Sequence, residues 1–432
     1  MSANKRLQVG RQKYGGLAKT SDPDVRLPFV MRNEVVEVSA DGRLIRIVEQ
    51  TAERVPPLCP HFTVCGGCQY QMIATEPQGD VKRAILQDIL ETAGLQFPVE
   101  IPAHTGPGYE YRNRIRLRVQ RVDGALRLGY NQRATTEFLP ILTCPIAAPV
   151  LWRCAEALLA TASDKDVAFW LDAASEVELF TDDRQAKVQV TLRCAPRTKV
   201  QQGSLDRFLA AVRGAVPEVV GIGAIASDPR TGPTGRTFAE VGAAGLNYRV
   251  LDETYWVPRG GFFQVNRFLL GELVKLVCEV DGVARHGAVA WDLYAGVGLF
   301  SRVLARGFAR VVAAEANAVA TSNNQVALRK IGATHEAVCV SILEFVERAT
   351  MQRERPELIV LDPPRAGAGV DVCELLLRIA APQMVYVSCD PTTLARDLQV
   401  LTRGYVIRAM HVVDLFPQTF HLETVVVLEC RK

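Results

Sequence analysis

In the stretch Met384-Val-Tyr-Val-Ser-Cys-Asp-Pro391, an apolar run leads into Ser388-Cys389 and a proline ends it. Proline lacks an amide hydrogen and has a fixed φ, so it stops a strand and can begin a helix, here expected over Thr392–Leu401. Cys389 is thereby set at the carboxyl end of a buried strand, the edge at which open α/β sheets bind ligands. A lone cysteine at a strand end more often belongs to a core than to a catalyst. Its neighbours change that reading. Leu358-Ile-Val-Leu-Asp-Pro-Pro-Arg365 is a second strand closing on a carboxylate and a stiff double proline, and Ala290-Trp-Asp-Leu-Tyr-Ala-Gly-Val-Gly298 is a third closing on a glycine turn. Three strand ends are therefore expected to converge on one site.

The surrounding third of the chain alternates strand and helix, which argues a doubly wound parallel sheet. Val311–Glu315 reads as the next strand, and its terminal carboxylate follows Asp292 by 23 residues, about where a ribose hydroxyl needs a partner. Ser301 stands where a dinucleotide fingerprint has its third glycine, so the pattern points to a nucleoside cofactor without a pyrophosphate. S-adenosylmethionine fits that description. Val406–Leu415 and Thr424–Glu429, joined through Phe-Pro-Gln, are expected to close the sheet as an antiparallel hairpin.

With 432 residues, of which 48% are hydrophobic, the chain can build two or three domains with sizeable cores. Its formal net charge is only +3, so any affinity for nucleic acid must come from local patches. The start, Met1-Ser-Ala-Asn-Lys-Arg6, has no apolar run behind it and no stretch reaches membrane-spanning length, so a cytoplasmic protein is expected. Residues 1–57 read as a small, locally basic β unit. Asn33–Ala40 and Arg43–Glu49 are its clearest strands, and Asp41-Gly42 suits a type I′ turn between them.

Eleven cysteines in a reducing compartment argue against a disulfide framework. Cys59, Cys65 and Cys68 lie close together with glycines at 66 and 67, and Cys144, followed by a proline, is the candidate fourth ligand. Four thiolates at this spacing suit either an iron–sulfur cluster or zinc. Between these ligands runs Tyr111-Arg-Asn-Arg-Ile-Arg-Leu-Arg-Val119. In a strand Arg112, Arg114, Arg116 and Arg118 share one face, about 6.6 Å apart, comparable to the spacing of phosphates along a nucleic-acid strand. With no acid interleaved they would repel one another unless something anionic lay over them, so RNA contact is expected here.

With these residues in hand, the sequence resembles the RNA uracil-5-methyltransferase family, in particular its iron–sulfur members acting on 23S ribosomal RNA. The likeness runs through Cys59-x5-Cys65-Gly-Gly-Cys68, Phe262-Phe-Gln264-Val-Asn266, Asp362-Pro-Pro-Arg365, Ser388-Cys-Asp-Pro391 and Asp414-Leu-Phe-Pro-Gln-Thr-Phe-His-Leu-Glu423. It implies a Rossmann-like class I methyltransferase domain over 259–432. A central α+β domain that binds the cluster and RNA follows for 58–258, and a shortened TRAM-like β-barrel for 1–57. It further implies that Gln264, Tyr294, Glu315 and Asp362 hold S-adenosylmethionine or the target base, that Cys389 is the nucleophile and Glu423 the base. A [4Fe-4S] cluster on Cys59, Cys65, Cys68 and Cys144 is implied as well. The expected product is 5-methyluridine in 23S rRNA, made by a monomer. Ala295 departs from a frequent Cys, Leu299 from a polar residue, and Ser341 from a longer Asp or Asn. The same chemistry on transfer RNA, an amino-methyltransferase built on Asp362-Pro-Pro, and a non-catalytic iron–sulfur RNA-binding protein are the competing readings.

Overall fold

The computed structural model describes residues 4–195, 203–226 and 235–431. They form two compact units, one made of Met1–Pro56, Gln69–Gly106 and Leu269–Lys432 and the other of Pro57–Cys68 and Pro107–Phe268.

The first unit holds an eight-stranded sheet. Its order is Glu336–Cys339, Phe308–Glu315, Gly287–Leu293, Leu358–Leu361, Gln383–Ser388, Glu423–Cys430, Tyr405–Val413 and Ala103–His104. The first five strands run parallel. Glu423–Cys430 is antiparallel to both of its neighbours, so the closing hairpin forms as the sequence suggested. Apolar runs buried on both faces are what a parallel sheet covered by helices requires, and Leu358–Leu361 and Met384–Val387 are buried throughout. Pro391 takes the first position of the helix Pro391–Leu401, and Asp390 caps it by accepting from the Thr392 and Thr393 amides. The doubly wound sheet expected from the alternation of strand and helix is thus present.

The edge strand Ala103–His104 comes from three hundred residues earlier and pairs in parallel with Val412–Val413. It arrives with the helix Thr75–Thr92, whose Leu86 and Leu90 join Ile101, Ile407, Met410 and Val412 in one core. Residues 69–106, which the sequence division placed in the central domain, therefore group by their contacts with this eight-stranded sheet.

The amino-terminal residues form a five-stranded antiparallel sheet around Leu7, Val9, Ala18, Leu27, Val36 and Val38. This curled sheet matches the expected small barrel. Its hairpin between Val35–Val38 and Leu44–Glu49 does not use a type I′ turn, because of the Asp41-Gly42 pair only Gly42 has positive φ, at 81°. The Gly42 amide instead donates to the Ser39 carbonyl and the Ser39 amide to that of Arg43, closing a longer loop on a left-handed glycine.

The second unit is α+β. Its seven-stranded sheet packs Val177, Leu179, Val190, Leu192 and Ile222 against the helices Pro149–Ala160, Lys165–Ala173 and Ser204–Ala215.

Candidate active site

The strands Leu358–Leu361 and Gln383–Ser388 are adjacent and parallel, and Glu423 opens the strand next to them. Parallel register thus delivers Asp362 and Cys389 to the same sheet edge, and the antiparallel strand brings Glu423 there from the opposite chain direction. Burial raises the Cys389 thiol to about 12, with Glu423 and Asp362 adding to the rise and Arg365 opposing it. Glu423 is 1% exposed and its Oε1 has no hydrogen-bond partner among the described residues. Burial, then the neighbouring Asp362, lifts its carboxyl well above the usual range, while Arg365 pulls it back. The thiol, the two carboxyl groups and one guanidinium therefore act on one another electrostatically. Arg365 also lies 3.4 Å from His421 Nε2, and the Thr393 hydroxyl donates to its carbonyl.

Beside them the glycine turn is bent by positive φ at Tyr294, Gly296 and Gly298, 63°, 55° and 86°. A Cβ at Gly298 would collide with the Asn324 carboxamide, so this position must be glycine. Both oxygens of Glu315 are anchored, Oε2 by the Gly296 amide at 3.0 Å and Oε1 by the Asn317 amide at 2.7 Å. Each carboxylate oxygen has a second lone pair for a ligand hydroxyl. Under the turn the Ser301 hydroxyl donates to Asp292, and the Asn324 amide donates to Ser301 at 3.3 Å. Burial pushes Asp292 up to about 7. The sequence marked Ser301 only as a missing glycine, whereas its hydroxyl ties the turn to the strand. Ser341 likewise has its own task, accepting the Glu344 amide as the cap of helix Ile342–Gln352. Gln264 belongs to the second unit, where it is buried and its carbonyl accepts from the Asn113 carboxamide.

A family model described as tRNA (Uracil-5-)-methyltransferase matches residues 245–431. The chain is 31% identical over 398 residues to a 23S rRNA (uracil(1939)-C(5))-methyltransferase RlmD of Aromatoleum aromaticum, covering 89% of this chain and 88% of that one. The chain belongs to the RNA uracil-5-methyltransferase family. It is also 30% identical over 403 residues to an uncharacterized RNA methyltransferase of Nitratidesulfovibrio vulgaris, covering 90% of this chain and 86% of that one. Its fold matches the crystal structure of Pyrococcus abyssi tRNA (uracil-54, C5)-methyltransferase in complex with S-adenosyl-L-homocysteine. The TM-score is 0.73 over 98% of this chain and 99% of that one, at 22% identity. As a member of this family the protein is a methyltransferase.

In the second unit of this methyltransferase Cys59, Cys65, Cys68 and Cys144 are all partly buried thiols. Burial raises the Cys59 and Cys65 thiols and pushes Cys144 up to about 11, with Cys59 and Cys65 contributing to the last. The thiols therefore sense one another, and the amides of His61 and Phe62 favour a charged Cys59 as that of Gly67 does Cys65. The donor chemistry suits a soft metal or cluster. Among the described residues, however, no group of three or more His, Cys, Asp or Glu side chains is set to hold a metal ion.

The arginine strand differs from its sequence reading. Arg114–Val122 pairs with Ala174–Thr181, which sets Glu178 opposite Arg116. Glu178 is 1% exposed and accepts from Arg114 at 3.2 Å and from Arg116 at 2.8 Å. The anion beside Arg114 and Arg116 thus comes from the next strand. Arg114 lies on the Phe180 ring and donates to the Gly261 carbonyl, whereas Arg118 donates to Asn131 and the Thr136 carbonyl. Arg112 precedes the strand and lies close enough to Cys144 to favour its thiolate. Arg116 is the most open of the four.

Proposed function

We propose that this protein methylates carbon 5 of a uridine in 23S ribosomal RNA, using S-adenosylmethionine and a covalent adduct between Cys389 and carbon 6. The observation that carries the reading is the mutual electrostatic influence of Cys389, Glu423, Asp362 and Arg365 at neighbouring strand ends. Carbon 5 of uracil is a poor nucleophile. Addition of the Cys389 thiolate to carbon 6 turns the ring into an enolate whose carbon 5 is nucleophilic, splitting one hard step into two easier ones. The Arg365 guanidinium suits the oxygen on which that charge develops. Bound S-adenosylmethionine supplies an electrophilic methyl group. Glu423 then takes the carbon 5 proton, for which a carboxylate of raised proton affinity is well matched, and the electrons expel Cys389. A target in folded RNA must first be unstacked and turned into the pocket.

For the cofactor we assign the ribose to Glu315 and the remaining contacts within the first unit to the Tyr294 turn and Asp362. Four cysteines, Cys59, Cys65, Cys68 and Cys144, would hold a [4Fe-4S] cluster, a reading supported by soft donors and by amides that favour the thiolates of Cys59 and Cys65. Anaerobically purified protein should then contain about four iron per chain, and Cys65→Ser should lose it. Stoichiometric zinc without iron would overturn this. RNA contact is proposed for Arg116 and Arg118, with Arg112 and Arg114 acting beneath them. The relatives that carry a 23S rRNA name support that substrate over transfer RNA.

The test is a denaturing gel with methyl-labelled donor and unmodified 23S rRNA. Wild type should leave label on carbon 5 of uridine. Glu423→Gln should stall with the methylated base bonded to Cys389, and Cys389→Ala should give neither product nor adduct. Label on an exocyclic nitrogen, or an adduct with Cys389→Ala, overturns the mechanism.

A further inference from the structure

The amino-terminal sheet reaches the candidate nucleophile through one hairpin. Its strands Lys5–Lys13 and Leu17–Thr20 pair through Lys13 and Leu17, leaving Tyr14-Gly15-Gly16 as the tip. Gly15 and Gly16 both have positive φ, 93° and 77°. The tip is seated by three contacts. Lys13 pairs with Asp88. A Cβ on Gly16 would come within 2.7 Å of the Gln69 side chain and 3.5 Å of the Phe420 ring, so only glycine lets the tip lie this close. Tyr14 packs edge-on against Phe420, with ring centroids 5.3 Å apart.

The Tyr14 hydroxyl donates to Asp390 Oδ2 at 3.1 Å. Asp390 is the residue after Cys389, and its other oxygen caps the following helix through the Thr392 and Thr393 amides at 2.9 and 3.1 Å. The Ser388 hydroxyl, on the near side of the thiol, donates to the Asp390 carbonyl at 3.0 Å. The turn bearing Cys389 is therefore tethered along the chain by Ser388, forward by the helix cap and sideways by Tyr14. Of these, only Tyr14 comes from outside the methyltransferase sheet and its helices.

We propose that Tyr14 is a positioning residue for Cys389: its hydroxyl, presented by the hairpin tip, holds the Asp390 carboxylate so that the thiol stays aligned with carbon 6 of the base. The inference rests on the role proposed for Cys389. It makes the seating of the small sheet a condition for chemistry, in addition to any grip on RNA.

Tyr14→Phe tests this, because it keeps the ring against Phe420 and removes only the hydroxyl. Single-turnover methyl transfer should slow about tenfold, as small misplacements of a reacting group do. The KM for RNA and the melting temperature should stay at the wild-type values. Asp390→Ser still caps the helix but cannot reach Tyr14, and it should slow transfer as well. Adding Tyr14→Phe to Asp390→Ser should then cost nothing more, since both remove one tether. Alkylation of Cys389 by iodoacetamide without RNA, followed by mass spectrometry, should be faster in Tyr14→Phe as the turn loosens. A Tyr14→Phe protein that transfers methyl at the wild-type rate, or losses that multiply in the double variant, overturns the inference. If wild type transfers no methyl to 23S rRNA the function proposed above fails, and equal alkylation rates of wild type and Tyr14→Phe then decide against Tyr14 separately.

Discussion

The role proposed for Cys389 requires a thiolate, yet burial and two nearby carboxyl groups raise its thiol pKa to about 12. In the free enzyme it is therefore expected to be a protected thiol that ionises only when a bound base and Arg365 rearrange the charges. Iodoacetamide alkylation of Cys389 without RNA should keep accelerating beyond pH 10, and Glu423→Gln should move the profile to lower pH by removing a carboxyl group. A plateau near pH 9 would contradict the burial argument. Asp292 makes a second case. Its folded value, about 7, lies above the ordinary 3.8, so the folded chain binds this proton more tightly than the unfolded chain. The associated stability is complete below the lower value and is lost as pH rises through the upper one. Asp292→Asn, which can still accept from Ser301, should flatten the fall in melting temperature between pH 5 and 7.5; an unchanged slope would place that fall elsewhere. The positions of Asp292, Asp362 and Cys389 were legible because strand ends followed by glycine or proline are local signals. Their proton affinities were not, because Glu423 acts on Cys389 from a different strand.

Elements show the same limit more sharply. On helix Thr75–Thr92 the residues Gln78, Lys82, Leu86 and Leu90 recur every fourth position and are all buried. A polar pair on that stripe was a readable sign of a buried network, although its partners lie over three hundred residues away. Lys82 donates to Asp414 at 2.5 Å and to the Phe416 carbonyl at 2.9 Å, while Gln78 exchanges hydrogen bonds with Gln418. The helix thus holds the loop that leads into Glu423. Lys82→Ala should cost about 3–5 kcal/mol in denaturant unfolding, since it removes the cation paired with a buried carboxylate; a loss below ~1 kcal/mol would mean that water reaches Asp414. The acidic partner of the arginine strand was hidden for the complementary reason. Its alternation was correct, but Glu178 lies in a strand some sixty residues on, and pairing register cannot be read from either strand alone. Arg114→Ala should therefore destabilise the protein by about 1–3 kcal/mol through lost bonds to Glu178 and Gly261. The salt dependence of RNA binding should remain unchanged, and a shallower salt slope would return Arg114 to the RNA surface.

For the whole molecule, sequence order and folding unit are different things. The carboxyl-terminal residues 259–432 carry every strand-end motif, so they read as a self-contained domain. Their sheet is nevertheless completed by Ala103–His104, and the faces of Ile407, Met410 and Val412 are covered by Leu86, Leu90 and Ile101. Removing residues 69–106 would leave that edge strand unpaired and these side chains open to water, together with an Asp414 deprived of Lys82. A fragment of residues 259–432 should accordingly keep helical far-ultraviolet circular dichroism but lose its near-ultraviolet signal and bind the dye ANS, as a chain with secondary structure and no fixed packing does. Joining residues 69–106 to that fragment through a flexible linker should restore the near-ultraviolet signal and abolish dye binding. If 259–432 alone unfolds cooperatively with a native near-ultraviolet spectrum, then helix Thr75–Thr92 is an accessory to the methyltransferase sheet rather than part of its core.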